Sequence, residues 1–127
     1  MFIENCNRVS VLIAEDNPVN QKLLEYLIRS KGWDCNIVDD GEKAVHACCS
    51  NHYDLILIDI QMPVLDGIQA TRAIRTTNKT IPIIAVTATP ENAMKDASLD
   101  AGMNDFISKP LNVDTFFNSV TKYISYS

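Results

Sequence analysis

The 127-residue chain is poor in the features that mark several functional classes. Its four glycines form no glycine-rich phosphate loop, which excludes the nucleotide hydrolases that depend on one. Its four cysteines, Cys6, Cys35, Cys48 and Cys49, form no Cys-x-x-Cys pair, and neighbours such as Cys48 and Cys49 rarely bridge. They are expected to be reduced thiols in a reducing compartment, the cytoplasm. No apolar run approaches the roughly 20 residues that cross a bilayer, so no membrane contact is expected from this segment. Met1 to Asn7 carries neither a basic stretch nor an apolar one and predicts no secretory signal. Basic charge is also short, with 11 Lys and Arg against 16 Asp and Glu and a net charge of −5. A phosphate-neutralising face needs the opposite balance, so no nucleic-acid partner is expected for the chain by itself.

What is present is ordinary for a globular unit: 46% hydrophobic and 21% charged residues. The length predicts a single domain over 1–127, with a core of about 9–124, able to bury roughly two-thirds of its extended surface. Strand and helix patterns alternate five times. Val9 to Ala14 reads as a strand, followed by a helix carrying Val19, Leu23, Leu24, Leu27 and Ile28 and ended by Lys31-Gly32. Cys35 to Val38 is a weaker strand and Glu42 to Cys49 a second helix. Leu55 to Ile58 is almost wholly apolar, as a strand covered on both faces should be. A third helix starts near Asp66-Gly67, Ile81 to Val86 is a fourth strand, and Thr89-Pro90 is a cap and first-turn pair for a helix with a thin apolar face. Asp105 to Ser108 is a fifth strand, and Val113, Phe116, Phe117 and Val120 form the stripe of a last helix. Five such units predict an α/β fold, a doubly wound parallel sheet with helices on both faces.

Ligands of such sheets bind beyond the carboxyl ends of the strands, so the residues that end each strand matter most. Here they are Glu15-Asp16 after the first, Asp59 after the third, Thr87 after the fourth and Lys109 after the fifth. If the first and third strands are neighbours, three carboxylates meet in one cleft. Like charges about 4 Å apart cost on the order of 1 kcal/mol each in water and more when partly buried. A hard divalent cation such as Mg²⁺ would offset this, and Lys109 can add a second positive charge.

These stretches together resemble a response-regulator receiver domain of the CheY-like family, over Val9 to Ile124. The matching segments are Val11-Leu12-Ile13-Ala14-Glu15-Asp16-Asn17, Ile58-Asp59-Ile60-Gln61-Met62-Pro63 with Asp66-Gly67, Ala85-Val86-Thr87-Ala88, and Ser108-Lys109-Pro110. The resemblance implies a flavodoxin-like three-layer sandwich with strand order 2-1-3-4-5. It implies that Asp59 accepts a phosphoryl group from a phosphohistidine of a histidine kinase or histidine phosphotransfer protein. It further implies Mg²⁺ held by Asp16, Asp59 and the Gln61 carbonyl, with Glu15 reaching it directly or through water. Thr87 would bond a phosphoryl oxygen, Lys109 would pair with the phosphate, and the Lys109-Pro110 bond would be cis. Gln61 and Thr89 stand where the family tunes hydrolysis of the acyl phosphate. The chemistry is self-consistent, since an aspartate is ionised at neutral pH and needs no general base to act as nucleophile. His46 and His52 lie around the second helix, away from the acids, and do not suit the donor role.

Phe106 stands where many members carry tyrosine, so a switch with Thr87 would be steric there. Asn17-Pro18-Val19-Asn20-Gln21 and Ala101-Gly102-Met103-Asn104-Asp105-Phe106 resemble receivers attached to hybrid histidine kinases, which suggests a kinase-linked receiver or a stand-alone shuttle. Either way, no enzyme acting on a separate substrate is expected. Two rivals remain. A haloacid-dehalogenase-like phosphatase also uses a strand-end aspartate, but its usual second aspartate is here Gln61. A scaffold pseudo-receiver would have lost an acid or the lysine. A metal cluster of His46, Cys49 and His52 on one side of the second helix is a weaker alternative.

Overall fold

Five apolar segments form strands: β1 (Ser10–Ala14), β2 (Asp34–Val38), β3 (Leu55–Ile58), β4 (Ile83–Thr87) and β5 (Asp105–Ser108). They alternate with helices α1 (Pro18–Arg29), α2 (Gly41–Ser50), α3 (Gly67–Arg75), α4 (Asn92–Ala101) and α5 (Val113–Tyr123). The computed structural model describes residues 9–88 and 92–124, the side chains of 92–95 excepted. All strand pairs are parallel and the order is β2-β1-β3-β4-β5, the doubly wound sheet that the sequence predicts.

Alternate residues of the central strands feed opposite layers. Leu55, Leu57, Ile84 and Val86 pack with Leu24, Leu27, Ile28, Trp33, Phe116 and Val120 on the α1/α5 side. Ile56, Ile58, Ile83 and Ala85 pack with Ala44, Tyr53, Ala70 and Ile74 on the α2/α3 side. Burial of each such aliphatic side chain contributes about 1.5–3 kcal/mol, so both faces of β3 and β4 must be apolar. In β3 and β4 no polar side chain precedes the carboxyl end, whereas the edge strand β2 carries the exposed Asn36 at its centre. Asparagine and aspartate caps start four helices, at Asn17, Asp40, Asp66 and Asn112. Asp66 forms a reciprocal pair with Gln69, which fixes the entry to α3.

Some boundaries differ from expectation. Helix α1 ends at Arg29 with Ser30 as its cap, earlier than the Lys31-Gly32 stop. The Lys31 and Gly32 amides donate to the Ile28 and Arg29 carbonyls, which tightens the exit, and Gly32 takes φ +77° beyond it. Strand β4 begins at Ile83 because the Asn78 side chain accepts the Thr80 and Ile81 amides and draws them into a turn. On α1 only Leu24, Leu27 and Ile28 of the apolar stripe are buried, while Val19 and Leu23 face outward with Tyr26. Thr89 and Pro90 lie outside the described residues.

One polar network has no counterpart in the sequence reading. Arg75 Nε and Nη2 donate to the Gly102 carbonyl at 3.0 and 2.8 Å, and Nη2 also reaches Asn104 Oδ1 at 3.0 Å. That oxygen accepts the Ile83 amide as well, so one guanidinium joins the end of α3, the start of β4 and the turn before β5.

Candidate functional site

The sheet register sets the site. Ala14 pairs with Ile58 and Thr87 with Ser108, so residues 15, 59 and 109 emerge together at the carboxyl edge. The Asp59 amide donates to the Ala14 carbonyl at 2.9 Å and the Lys109 amide to the Thr87 carbonyl at 2.9 Å, continuing the ladder one step past the apolar layer. Glu15 is 1% exposed, Thr87 1% and Asp59 8%, whereas Asp16 is exposed. Carboxylate oxygens of Glu15, Asp16 and Asp59 lie within 4.8 Å of one another.

Lys109 compensates this charge from within the cluster. Its Nζ lies 2.9 Å from Glu15 Oε1 and 3.2 Å from Asp59 Oδ2. Burial pulls the Lys109 pKa down, but the Glu15 hydrogen bond and the Asp59 charge outweigh it, so the group is held above its ordinary value. Glu15 moves above the usual carboxylate range, chiefly by burial, with the Lys109 hydrogen bond opposing and the Asp59 charge adding to the rise. Backbone amides hold the remaining oxygens: Asn17 N–H donates to Glu15 Oε2 and Gln61 N–H to Asp59 Oδ1, both at 3.2 Å.

The structure therefore brings Glu15, Asp16, Asp59, Thr87 and Lys109 to one edge of the sheet, and Lys109-Pro110 is cis. Gln61 is exposed in the loop after β3. A cavity of about 610 Å³ opens there between Asp16, Gln61, Met62, Pro63 and Ile68. Val64 holds φ +69° in this loop, where the Leu65 amide donates to the Pro63 carbonyl across a three-residue turn. Phe106 is half-buried and packs against the α2/α3-side layer. His46, Cys49 and His52 do not form a ligand set among the described residues; His52 is solvent-exposed and 3.5 Å from Asp54 Oδ1. One contact escaped the sequence reading: Gln21 Nε2 donates to the Glu15 carbonyl at 2.6 Å.

Comparison with known proteins accords with this geometry. A family model described as the response regulator receiver domain matches residues 11–121. The sensor histidine kinase RcsC of Escherichia coli is 35% identical over 113 residues, which cover 89% of this chain and 12% of that protein, so the chain spans about a tenth of the kinase's length. The receiver domain of sensor histidine kinase PA1611 from Pseudomonas aeruginosa, with a magnesium ion coordinated in its active-site cleft, is 39% identical with a TM-score of 0.85. That match covers 91% of this chain and 97% of the other. The receiver domain of Ssk1 from Saccharomyces cerevisiae, solved with the histidine phosphotransfer protein Ypd1, is 29% identical with a TM-score of 0.84, covering 92% and 89%.

Proposed function

The chain belongs to the family of response regulator receiver domains, and from that premise we propose that it serves as one receiver unit in a phosphorelay, taking a phosphoryl group onto Asp59. The donor in this reading is a phosphohistidine of a histidine kinase or histidine phosphotransfer protein. The observation that carries it is the Lys109 ammonium set between the Asp59 and Glu15 carboxylates beyond the ends of the central strands. Three clustered carboxylates are hard oxygen donors and fit Mg²⁺; in this reading Asp16, Asp59 and the Gln61 carbonyl would hold it, with Glu15 direct or through water. When bound, Mg²⁺ supplies positive charge against the acids and the phosphoryl oxygens.

The chain's own groups do the rest. An Asp59 carboxylate oxygen attacks phosphorus, the phosphorus–nitrogen bond breaks, and the imidazole keeps the electron pair, leaving an acyl phosphate. Phosphoryl transfer is mainly positioning and charge stabilisation, for which Lys109 is already 3.2 Å from Asp59. The Gln61 amide is a further donor, to the other Asp59 oxygen, Oδ1. Catalysis in this reading is limited to the domain's own phosphorylation and dephosphorylation. Gln61 in place of a second aspartate supports this over a phosphatase, and the complete set of acids and lysine supports it over a silent scaffold. Val19, Leu23 and Tyr26, outward on α1, offer an apolar face for a donor helix.

Incubation with Mg²⁺ and phosphoramidate, followed by intact mass, tests the reading. The wild type is expected to gain one phosphoryl group and Asp59→Asn none; an equal adduct on Asp59→Asn would refute it. The acyl phosphate adds roughly one negative charge to the cleft, which Lys109 and the Thr87 hydroxyl would share. A full two-state shift takes about 5.5 kcal/mol, more than the roughly 1.5–3 kcal/mol of one charge-assisted bond, so both groups must act. Thr87→Ala is accordingly expected to be phosphorylated yet to show smaller amide shift changes along α4. Wild-type shift changes in phosphorylated Thr87→Ala would sink this coupling.

A further inference from the structure

We infer that Gln21 is a positioning residue for the acidic pair: its side-chain amide holds the Glu15 carbonyl and so fixes the peptide plane from which Asp16 is presented to the cation. This rests on the Mg²⁺ reading above and deepens it. Strand β1 ends at Ala14, whose carbonyl takes the Asp59 amide. The next carbonyl, that of Glu15, is past the last register pair with β3, and the chain turns there into α1. Its donor comes from the helix instead: Gln21 Nε2, six residues on, at 2.6 Å. Gln21 is itself seated by the first turn of α1, where its amide donates to the Asn17 carbonyl at 2.9 Å. Asn17 Oδ1 in turn caps the Val19 and Asn20 amides at 2.9 and 3.1 Å.

Glu15 is thus held on both sides of its Cα. The Glu15 amide donates to the Val38 carbonyl at 3.0 Å and its carboxylate is tied to Lys109 and the Asn17 amide. The Gln21 amide fixes the carbonyl and with it the direction in which the exposed Asp16 leaves the backbone. Asp16 has to approach Asp59 to within a few ångströms, and a rotated peptide plane would swing its carboxylate away. A residue that orients a ligand through one hydrogen bond typically changes metal affinity by about tenfold or more when removed.

The test titrates MgCl₂ into wild type, Gln21→Met and Gln21→Glu without phosphodonor, following the Asp16 and Gln61 amide signals. Gln21→Met keeps the length and loses the donor, and is expected to weaken Mg²⁺ binding about tenfold. Gln21→Glu sets a carboxylate against the carbonyl and should weaken it further. Half-saturating Mg²⁺ for phosphoramidate labelling should rise by the same factor as the Mg²⁺ Kd, with a much smaller change in maximal rate. Wild-type Mg²⁺ affinity in Gln21→Met, with only a lower melting temperature, would reduce Gln21 to a helix tether and overturn the inference. In the wild type itself the Gln21 side-chain NH₂ signals should shift with the same Kd, whether or not the variants fold, and stationary signals would overturn it too. A wild type that binds no Mg²⁺ at all would instead refute the metal reading from which the inference starts.

Discussion

Lys109→Met is expected to lower the melting temperature by roughly 10 °C at neutral pH and to slow phosphoramidate labelling of Asp59 by about a hundredfold. The thermal loss follows from what the variant leaves behind. Glu15 is 1% exposed, and Lys109 is its cationic partner at 2.9 Å. Removing one member of a buried pair costs about 3 kcal/mol or more, because the other charge stays desolvated. The pH dependence identifies the cause. Glu15 already sits above its usual 4.5, chiefly through burial, and the Lys109 hydrogen bond is what restrains that rise. Without Lys109 it rises further. An acid whose folded pKa exceeds its unfolded one is least costly below the unfolded value, and the folded state loses stability as pH climbs through the raised one. The deficit of Lys109→Met should therefore shrink as pH falls from 7 towards 4.5. Lys109, held above its ordinary value, keeps its contribution in the wild type until strongly alkaline pH. Circular dichroism melts at pH 5 and 7.5 decide the matter, and an identical deficit at both would rule out this account. The kinetic loss reflects the removal of one preorganised charge from the phosphoryl oxygens.

Gly67→Ala should destabilise the protein by about 2 kcal/mol and impair Asp59 labelling, although helix propensity alone predicts the opposite sign. Alanine in a helix is favoured over glycine by up to about 1 kcal/mol. Against that, a β-carbon on Gly67 would overlap the Asp59 carbonyl oxygen and lie 2.9 Å from Ile60 Cα and 3.0 Å from the Asp59 carbonyl carbon. These atoms are backbone at the end of β3 and cannot swing aside as a side chain can. Overpacking of this kind costs about 1–3 kcal/mol, so the clash wins. Relief requires α3 and the end of β3 to separate, which strains the 2.8 Å bond from the Gly67 amide to the Ile60 carbonyl and displaces Asp59 from Lys109. Melting and labelling should fall together. A Gly67→Ala protein as stable as wild type, with unchanged labelling, would show that the helix can give way locally.

The site was largely legible because each of its members follows an apolar strand. Glu15-Asp16, Asp59, Thr87 and Lys109 each stand at or just past the carboxyl end of a strand, and a parallel sheet gathers those ends along one edge. What sequence could not give is contact between a polar side chain and a distant backbone atom. Gln21 stands in the sequence only as the last residue of Asn17-Pro18-Val19-Asn20-Gln21, yet its side chain reaches the Glu15 carbonyl. Arg75 belongs to no motif of the sequence, yet it spans to Gly102 and Asn104. The close approach of Gly67 to Asp59 is likewise tertiary, as is that of Gly41 to Leu65. Val64, a β-branched residue at φ +69°, defies its own backbone preference and had no sequence signal. The thin apolar face of α4 was legible as a pattern, but the Thr89-Pro90 cap lies outside the described residues.

Because β3 and β4 are apolar on both faces, sliding either by one residue would not exchange a greasy side for a wet one, as it does in a half-exposed sheet. Alternation therefore cannot tell these strands where to stop. The residues at their ends can: a slip by one position would drag the Asp59 or Thr87 side chain between the packed layers, or push an isoleucine out at the edge. Transferring an ionised carboxylate into that interior is far costlier than any gain from an extra aliphatic contact. The chemistry-bearing groups thus double as registration marks for assembling the sheet. Replacing them with alanine removes both a reactive group and a brake on mispairing.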